Sequence, residues 1–392
     1  MEIKQIYDLV NTATRETVGE SVLVAEDLSN LVDVGREIYN LEMPFKWLEN
    51  LIPQIGKMVF VNRPYAGRAP SVLMDGFEYG AVLAKICSKM PEAQENESWE
   101  LEDGVSYDPN IFTAPSARAK FFSKYVTFEI ARSVPDNQLK LAFTNATQMN
   151  AFLSMLMTLV ENSMTVKIDN LIMRTISNMI INTVIDEYGE AGDNLGDTSG
   201  VRAVNLLSMY NEEHPNATLT AGECISNPDF IRFASYKMGL YSDFLRTMST
   251  LFNVGRQERF TPDDRQHFVL LSQFAKSANV YLQSDTFHNE FTALPNAETV
   301  PYWQGSGEGF DFSDCSTIKA KAEKANGQPS AEMEVSGILG VIFDRDALGV
   351  SNVERKVTTQ YNGRAEFTNY WYKYKAGYFN DLNENFVVFF VA

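Results

Sequence analysis

Residues 148–187 read QMNAFLSMLMTLVENSMTVKIDNLIMRTISNMIINTVIDE, and this stretch decides the class of the fold. Its apolar residues recur mostly at steps of three, four or one, which is the spacing of a helix. No proline or glycine interrupts it, so about 40 residues at a rise of 1.5 Å each predict a helical length of roughly 60 Å. The many Asn, Ser and Thr residues between the apolar ones indicate that several faces of the helix meet other protein. One continuous spine and two helices divided by a bend both satisfy this pattern.

Strand-like segments follow in the C-terminal part of the chain. The composition predicts a strand over 267–272, a short helix over 273–282 and another strand over 334–343. Residues 355–361 alternate with a period of two, as in a half-buried strand. The apolar run 385–392 predicts that the last segment is built into a sheet. Strands that follow helices in this order indicate an α+β protein rather than a regularly alternating α/β fold.

Composition and charge exclude several classes of protein. The 392 residues include 33 Lys and Arg against 51 Asp and Glu, which gives a net charge of -18. An acidic surface repels phosphate backbones and disfavours sequence-specific DNA binding. With 26 Phe and 17 Tyr, the chain is too rich in aromatic residues to be a disordered coil. The sequence has no uncharged apolar run long enough for a membrane span and no CxxC pair.

The N-terminal third contains three segments that bear on its organisation. Residues 1–50 are acidic and hold two weak helical patterns, which predict an extended arm with short helices. Residues 58–64 predict a strand that a proline ends. Residues 91–117 contain seven acidic residues and no basic one, between aromatic and β-branched runs. A long two-stranded loop and an ordinary acidic surface loop both fit this segment.

The motifs of common enzymes are missing from the sequence. It has neither a G-x-x-x-x-G-K-[ST] phosphate loop nor a G-x-S-x-G elbow. The glycines of 305–309 have the wrong spacing for a dinucleotide site, and His288 lies in an H-x-E that no P-C-x-x-C follows. Residues 381–385 begin like a calcium loop, but Phe386 stands where that loop needs glycine, so they predict a polar turn between strands. We therefore predict no catalytic, cofactor-binding or metal-binding residues, and a protein that is not an enzyme.

Five segments of the C-terminal third carry a resemblance to a known family. They read PYWQGSG (301–307), ALGV (347–350), RKVTTQYN (355–362), EFTNY (366–370) and GYFNDLNEN (377–385). In these segments the chain resembles the major capsid proteins of tailed bacteriophages, and the similarity covers Phe268 to Ala392. Residues 1–267 are similar to that family only in the order of their elements.

The resemblance implies the Hong Kong 97-like fold. This α+β fold has an N-terminal arm, an extended β-hairpin loop, a peripheral domain with a spine helix, and an axial domain. The implied bounds are 1–50 for the N-terminal arm, 51–125 for the extended loop region, 126–189 for the peripheral domain with its spine helix, 190–345 for the axial domain and 346–392 for C-terminal strands that return to the peripheral and axial sheets.

The resemblance also implies a function and a set of partners. A protein of this family self-assembles into the icosahedral shell that encloses a double-stranded DNA phage genome. The implied partners are further copies in pentameric and hexameric capsomers, a scaffolding protein, a portal, and DNA that is enclosed without sequence-specific binding; no membrane partner is expected. The chain is expected in the virion, after synthesis in the cytoplasm of the bacterial host. No motif for covalent crosslinking between subunits matches, so we predict no crosslink.

The acidic segment 91–117 predicts a contact between subunits. We expect it to lie on a neighbouring subunit and to meet basic groups there. The candidate residues are Glu100, Glu102 and Asp103 on the acidic side, and Arg118, Lys120 and Lys124 on the basic side. A contact between exposed charges weakens as salt screens it, so assembly should depend on ionic strength.

Two other functions stay open at this point. An encapsulin-like compartment shell has the same fold but packages an enzyme instead of a genome. An acidic α+β enzyme with an unrecognised site belongs to a different class, and it would be a stable monomer that does not assemble.

Overall fold

The fold combines one helix of 43 residues with a four-stranded and a five-stranded β-sheet. The computed structural model describes residues 3–20, 22–41, 43–61, 69–74, 83–88, 101–107, 110, 112, 114, 117–192, 194–283, 297–304, 311–323 and 329–392. The helices are α1 (Ile3–Val18), α2 (Leu31–Asn40), α3 (Pro44–Val61), α4 (Asp136–Ala142), α5 (Ala146–Tyr188), α6 (Leu206–Glu213), α7 (Pro228–Leu245), α8 (Ser272–Gln283) and α9 (Phe312–Ser316). The strands are β1 (Leu73–Met74), β2 (Leu83–Ser88), β3 (Ala117–Phe122), β4 (Tyr125–Pro135), β5 (Ala203–Asn205), β6 (Gln266–Leu271), β7 (Ala297–Val300), β8 (Ile318–Glu323), β9 (Pro329–Val335), β10 (Ile338–Asp344), β11 (Leu348–Asn362), β12 (Phe367–Asn380) and β13 (Phe386–Phe390).

The helix predicted over 148–187 is α5, which runs for 43 residues without a break. Its length is about 65 Å at 1.5 Å per residue. The Asn145 side chain caps the N-terminus by accepting a hydrogen bond from the backbone N of Gln148 at 2.9 Å. At the other end Gly189 has a φ of 78°, a conformation that favours glycine. The predicted helix is confirmed, and of the two alternatives the structure has the single continuous one. Among the described residues, no helix combines the length and the apolar character that crossing a membrane requires.

The first sheet has the strand order β1-β11-β12-β4. Strands β11 and β12 form a long antiparallel hairpin, and β4 pairs antiparallel with the other edge of β12. Helices α3 and α5 contact β11 and β12, and Tyr370 and Tyr372 are buried in this layer. Because side chains alternate along a strand, Trp371 and Lys373 lie on the opposite face. One face of the sheet is therefore core and the other is polar.

The second sheet has the order β5-β13-β10-β6-β7. Strand β13 lies between β5, which is parallel to it, and β10, which is antiparallel. All residues of β6, β10 and β13 are buried. The strand predicted over 267–272, the helix over 273–282 and the C-terminal strand are confirmed as β6, α8 and β13. The run 334–343 is divided between β9 and β10 by a turn at Gly337, where φ is 75°.

Helix α5 contacts both sheets, through β4, β11 and β12 of the first and through β5 and β13 of the second. Its C-terminal end is held by the buried Arg202, whose guanidinium lies 2.8 Å from Asp186 and 2.5 Å from Glu187. The backbone N of Val388 in β13 donates to the carbonyl O of Arg202 at 2.7 Å. The ion network around Arg202 thus ties the end of the spine to strand β13 of the second sheet.

The N-terminal region differs from the expectation of an extended arm. The two helical patterns within 1–50 are present as α1 and α2, but α1 packs against α3 and α5 of the same chain. Its residues Ile6 and Val10 are buried. These helices therefore belong to the packed body in this structure, while the proposed boundary at residue 50 stays a prediction.

The strand predicted over 58–64 is wrong for its described part. Residues 58–61 are the last turn of α3. Earlier in that helix Trp47, Leu48 and Leu51 are fully buried at helical spacing. Packing of this apolar face favours continuation of the helix over the local strand propensity of the Val59-Phe60-Val61 run.

Helix α2 lies so close to the residues before α5 that Gly35 has no room for a side chain. A Cβ at this position would lie 2.5 Å from Cγ and 2.6 Å from Cβ of Phe143. We expect Gly35→Ala to lower the free energy of unfolding by about 1–3 kcal/mol, since overpacking forces the surrounding atoms to shift. The melting temperature of the unassembled chain, followed by circular dichroism, measures this change.

Gly239→Ala in α7 is the matched control. A Cβ there meets no atom within 4 Å. We expect this variant to be as stable as the wild type or more stable by up to about 1 kcal/mol, because alanine loses less backbone freedom in a helix. Equal melting temperatures for the two variants would contradict the close packing of α2.

Candidate interaction surface

The acidic segment lies between the strands of a two-stranded hairpin. Strands β2 and β3 pair antiparallel, with Leu83 opposite Phe122 and Ser88 opposite Ala117. This pairing confirms the two-stranded reading of the region. Residues 101–107, which we call the loop segment, are all exposed, and they include Glu102 and Asp103. Glu100 lies outside the described residues.

The loop segment and its continuation also expose large apolar side chains. Phe112 keeps 84% of its surface exposed and Leu101 65%, and Val105 and Tyr107 are exposed too. The hydroxyl of Tyr107 accepts a hydrogen bond from the backbone N of Glu102 at 3.1 Å, so part of the segment is ordered by a local contact. Apolar and acidic groups that face solvent together on one segment are typical of a surface that another protein covers.

The basic candidates are not brought to the acidic ones within one chain. The Lys120 ammonium lies 3.1 Å from the Asp381 carboxylate, so its charge is already compensated inside its own subunit. Lys124 is exposed between β3 and β4, and its carbonyl O accepts a hydrogen bond from Tyr378 N at 3.2 Å. Arg118 lies on β3 opposite Cys87, and its side chain is outside the described part. In this structure Lys120 attaches the hairpin to its own chain, and its contact with a neighbouring subunit stays a prediction.

That attachment is an ion cluster around Asp381, in the turn between β12 and β13. The side chain of Asp381 keeps only 1% of its surface exposed. The Lys85 ammonium on β2 lies 3.1 Å from its Oδ2, and the Lys120 ammonium on β3 lies 3.1 Å from its Oδ1. One buried carboxylate thus binds both strands of the hairpin at once, and we call this group the root clamp.

Two further charges complete the root clamp. Glu384 lies 3.8 Å from Lys85 and 3.3 Å from the Arg259 guanidinium. Burial raises the pKa of the Asp381 carboxyl, but Lys120, Lys85 and the backbone N–H of Asn383 more than offset this, so the net pKa is below its usual value. Burial also raises the pKa of Glu384, and there Lys85 and Arg259 do not compensate fully. At neutral pH the Asp381 carboxyl is therefore the permanently charged centre of the cluster.

Aromatic rings surround the root clamp on the hairpin side. The rings of Phe122 and Phe379 lie 5.3 Å apart. The Lys120 ammonium is 5.2 Å from the Phe122 centroid, and the Lys85 ammonium is 5.5 Å from that of Phe379. Such contacts stabilise the lysine charges where water is partly excluded.

A second anchor holds the chain that leads into the hairpin. The Glu298 carboxylate accepts hydrogen bonds from the backbone N of Ser71, at 2.8 Å, and from the Ser71 hydroxyl. It also lies 3.1 Å from Nε2 of His267, whose ring stacks on Phe343 at a centroid distance of 4.9 Å. Burial lowers the pKa of His267 despite the nearby carboxylate. His267 therefore has a structural contact at the edge of its ring, to Glu298, and another on a face of the ring, to Phe343.

No motif in the sequence marks Lys85, Asp381 or Glu384 as functional residues. The polar turn predicted at 381–385 is confirmed, between strands β12 and β13. The pattern around this turn indicates buried charges. Its acidic residues lie between two strongly apolar runs, and charges buried there need oppositely charged or hydrogen-bonding partners. The sequence did not show which lysines those partners are. Among the described residues, no group of three or more His, Cys, Asp or Glu side chains could hold a metal ion.

Comparisons with known proteins find relatives of this architecture. A family model described as Phi29-like phage major capsid protein matches residues 10–390. Among solved structures the chain is similar to the capsid structure of Staphylococcus phage Andhra, with 11% identity over 83% of this chain and 84% of that chain, and a TM-score of 0.51. It is also similar to the capsid structure of the cyanophage P-SCSP1u, with 8% identity over 84% of this chain and 88% of that chain, and a TM-score of 0.43. No curated protein matches the sequence. The likeness to the Andhra capsid confirms the predicted α+β, Hong Kong 97-like capsid fold.

The root clamp predicts a large effect of neutralising Asp381. Asp381→Asn keeps the size of the side chain but leaves Lys85 and Lys120 without their buried counter-charge. We expect a loss of roughly 2–4 kcal/mol in the free energy of unfolding, less than for a fully enclosed pair because Lys120 is 39% exposed. Melting temperature measures the loss, and faster hydrogen exchange of β2 and β3 locates it.

Glu334→Gln is the matched control for this change. Its partner Lys319 lies 3.7 Å away and both side chains are more than half exposed. An exposed pair of this kind contributes at most about 1 kcal/mol. If Asp381→Asn were no more destabilising than Glu334→Gln, the root clamp would not hold the hairpin.

The lowered pKa of Asp381 also predicts a pH dependence. In the unfolded chain this carboxyl titrates near its ordinary value of about 3.9, and in the folded chain it titrates lower. The contribution of its charge is therefore complete well above pH 4 and is lost as the pH falls through the lowered folded pKa. We expect the difference in melting temperature between wild type and Asp381→Asn to be constant from about pH 7 to pH 5 and to shrink below about pH 4. A difference in melting temperature that grows on acidification would contradict this prediction.

Proposed function

The chain belongs to the Phi29-like phage major capsid protein family, and from this premise we propose that its copies join as pentameric and hexameric capsomers around double-stranded DNA. The capsid role itself follows from the family, so the protein is a shell-forming component of the virion and not an enzyme. This membership does not favour the encapsulin-like compartment or the unrecognised enzyme.

We further propose a scaffolding protein and a portal as partners, and synthesis in the cytoplasm of the bacterial host. Strong binding to the enclosed DNA is not part of the proposal. A net charge of -18 on each subunit repels phosphate groups. An acidic shell would hold the DNA because the shell is closed and not because it binds the DNA, and the DNA could therefore leave.

One observation carries the proposal that copies contact each other through the hairpin. The loop segment exposes acidic and apolar side chains, while the root of the same hairpin is fixed to the body by buried charges. The strands of the hairpin are already fixed to the body. Binding of the exposed loop segment to a neighbour therefore costs little additional conformational entropy in those strands. Each such contact can be weak, because closure of a shell makes many of them at once.

The two sheets support the proposed division of the chain. The first sheet and α5 would be the peripheral domain at 126–189 with returning strands from 346–392, and the second sheet would be the axial domain at 190–345. Strands β11 and β12 enter the first sheet and β13 enters the second, as expected for C-terminal strands that return to both. The extended loop region at 51–125 includes β2 and β3. The N-terminal arm would be 1–50, with its helix α1 packed on the body of the same chain.

Electron microscopy of the expressed chain, alone and with its scaffolding protein, tests the proposed function. We expect uniform closed shells or ring-shaped capsomers. A chain that stays a monomer at all concentrations and with every scaffold tried would overturn the proposal.

Charge reversal on the loop segment tests the contact itself. We expect Glu102→Lys with Asp103→Lys to reduce the yield of shells strongly, because like charges across an interface repel. We also expect wild-type assembly to weaken as salt rises from about 0.05 M to about 0.5 M, because the contact pairs exposed charges. Sedimentation separates shells from free subunits in both experiments.

Glu332→Lys with Glu334→Lys, on β9, is the control with the same change of net charge at two other exposed acidic positions. We expect shells at the wild-type yield from this control. Normal shells from the loop variant would refute a role of Glu102 and Asp103 in assembly.

A further inference from the structure

The turn that joins β11 to β12 follows an asparagine and begins with a glycine. Asn362 is the last residue of β11 and pairs with Phe367, the first residue of β12. Residues 363–366 form the turn between them, which we call the tip turn. Asn362 and all four residues of the tip turn are exposed, so water reaches the side-chain amide.

The amide of Asn362 is held by the backbone of the tip turn. Its Oδ1 accepts hydrogen bonds from the backbone N of Arg364 at 3.1 Å and of Ala365 at 3.3 Å. These bonds fold the side chain over the turn, towards the backbone nitrogen of Gly363, which precedes both donors. Two N–H donors on one carbonyl oxygen also stabilise the negative charge that develops on it when a nucleophile attacks its carbon. The Cγ of Asn362 is therefore an activated carbonyl carbon beside a backbone nitrogen.

Two other asparagines have the same pattern of hydrogen bonds but lack a condition for reaction. The side chains of Asn205 and Asn227 each accept from the backbone N of the second and third residues that follow. Asn205 keeps only 1% of its surface exposed, and the bulky Leu206 follows it. Asn227 is followed by Pro228, whose nitrogen carries no hydrogen. Of these three, only Asn362 combines an activated amide with access to water and a following residue that has no side chain.

We propose that Asn362 is a site of spontaneous deamidation, which places a new carboxylate at the tip turn. The backbone nitrogen of Gly363 attacks Cγ of Asn362, so that the bond between this nitrogen and Cγ forms and the bond between Cγ and Nδ2 breaks. The proton of the Gly363 nitrogen transfers to Nδ2, which leaves as ammonia. Water then opens the cyclic imide. Its addition at Cγ gives aspartate, and its addition at the main-chain carbonyl carbon gives isoaspartate.

The two products change the tip turn in different ways. Aspartate keeps an acceptor oxygen for both N–H donors, and a charged acceptor strengthens such hydrogen bonds. Isoaspartate lengthens the main chain by one carbon and disturbs the pairing at the end of β11. Either product adds a negative charge to a turn that already contains Glu366, whose carbonyl O accepts from the backbone N of Asp136 at 3.0 Å. Subunits therefore gain negative charge at this turn with time after synthesis.

Peptide mapping of aged subunits tests the proposal. Trypsin cleaves after Lys356 and Arg364, so Asn362 is found in the peptide 357–364. This peptide is separate from the second Asn-Gly step of the sequence, at 326–327, which lies outside the described residues. Mass spectrometry measures the deamidated fraction over time at neutral pH, and electron-transfer fragmentation distinguishes aspartate from isoaspartate. We expect both products in the peptide 357–364, while Asn205 and Asn227 stay unmodified.

Gly363→Ala tests the attacking nitrogen. A Cβ at this position meets Cε1 of Tyr361 at 3.6 Å, which is an ordinary van der Waals contact, so the variant should fold. We expect it to deamidate at Asn362 about tenfold more slowly or less, because a methyl group beside the nitrogen hinders its approach to Cγ. Gly196→Ala is the matched control, since a Cβ there meets no atom within 4 Å, and it should deamidate at the wild-type rate. Circular dichroism establishes that both variants fold.

The chain unfolded in urea provides the rate of the same Asn-Gly step without the tip turn. We expect folded subunits to deamidate at Asn362 at least as fast as the unfolded chain, because the turn activates the amide. A slower reaction in the folded subunits would show that the turn protects Asn362, and it would overturn the proposal. Equal rates for Gly363→Ala and the wild type would overturn it as well. All these measurements use free subunits, so their outcome does not depend on the proposed function.

Discussion

The structure depends on the burial of one helix that is apolar on several faces. Helix α5 is too long to be covered by a single partner, and it is covered in sections by α3, by the first sheet and by the second sheet. Burial of its apolar side chains couples the two sheets, because each of them packs on the same rigid rod. The ion network of Arg202 with Asp186 and Glu187 fixes the end of that rod against β13.

The projecting hairpin is held by a different force. Lys85 of β2 and Lys120 of β3 both reach the buried Asp381, and these ion pairs fix the position of the two strands. A buried carboxylate is stable only when oppositely charged groups lie close to it with good geometry. The two lysines must therefore keep their positions around Asp381, which fixes the orientation of the strands that carry them. The hydrogen bonds of Ser71 to Glu298 fix the incoming chain in the same way. The hairpin therefore leaves the body in a defined orientation.

A capsid subunit must keep some of its surface unsatisfied until it meets its neighbours. The loop segment exposes acidic and apolar groups to solvent. Exposed apolar groups are unfavourable in an isolated monomer, and in the proposed contact a neighbouring copy would cover them. If the loop segment meets a different surface of the neighbouring copy, the proposed contact is heterologous, and its repetition would generate rings or closed shells.

The sequence by itself determined the elements whose pattern is local. The long helix, the strands β6 and β13 and the polar turn 381–385 all follow from the spacing of apolar residues, and the resemblance in the C-terminal third identified the fold. Strand propensity misled at 58–61, where burial of Trp47 and Leu51 extends a helix instead. Only the tertiary structure decided that Lys120 belongs to Asp381 of its own chain, more than two hundred residues away. The physical reason is that the periodicity of a helix or strand is set by residues close together in the sequence. The partner of a buried charge depends instead on how the whole chain folds.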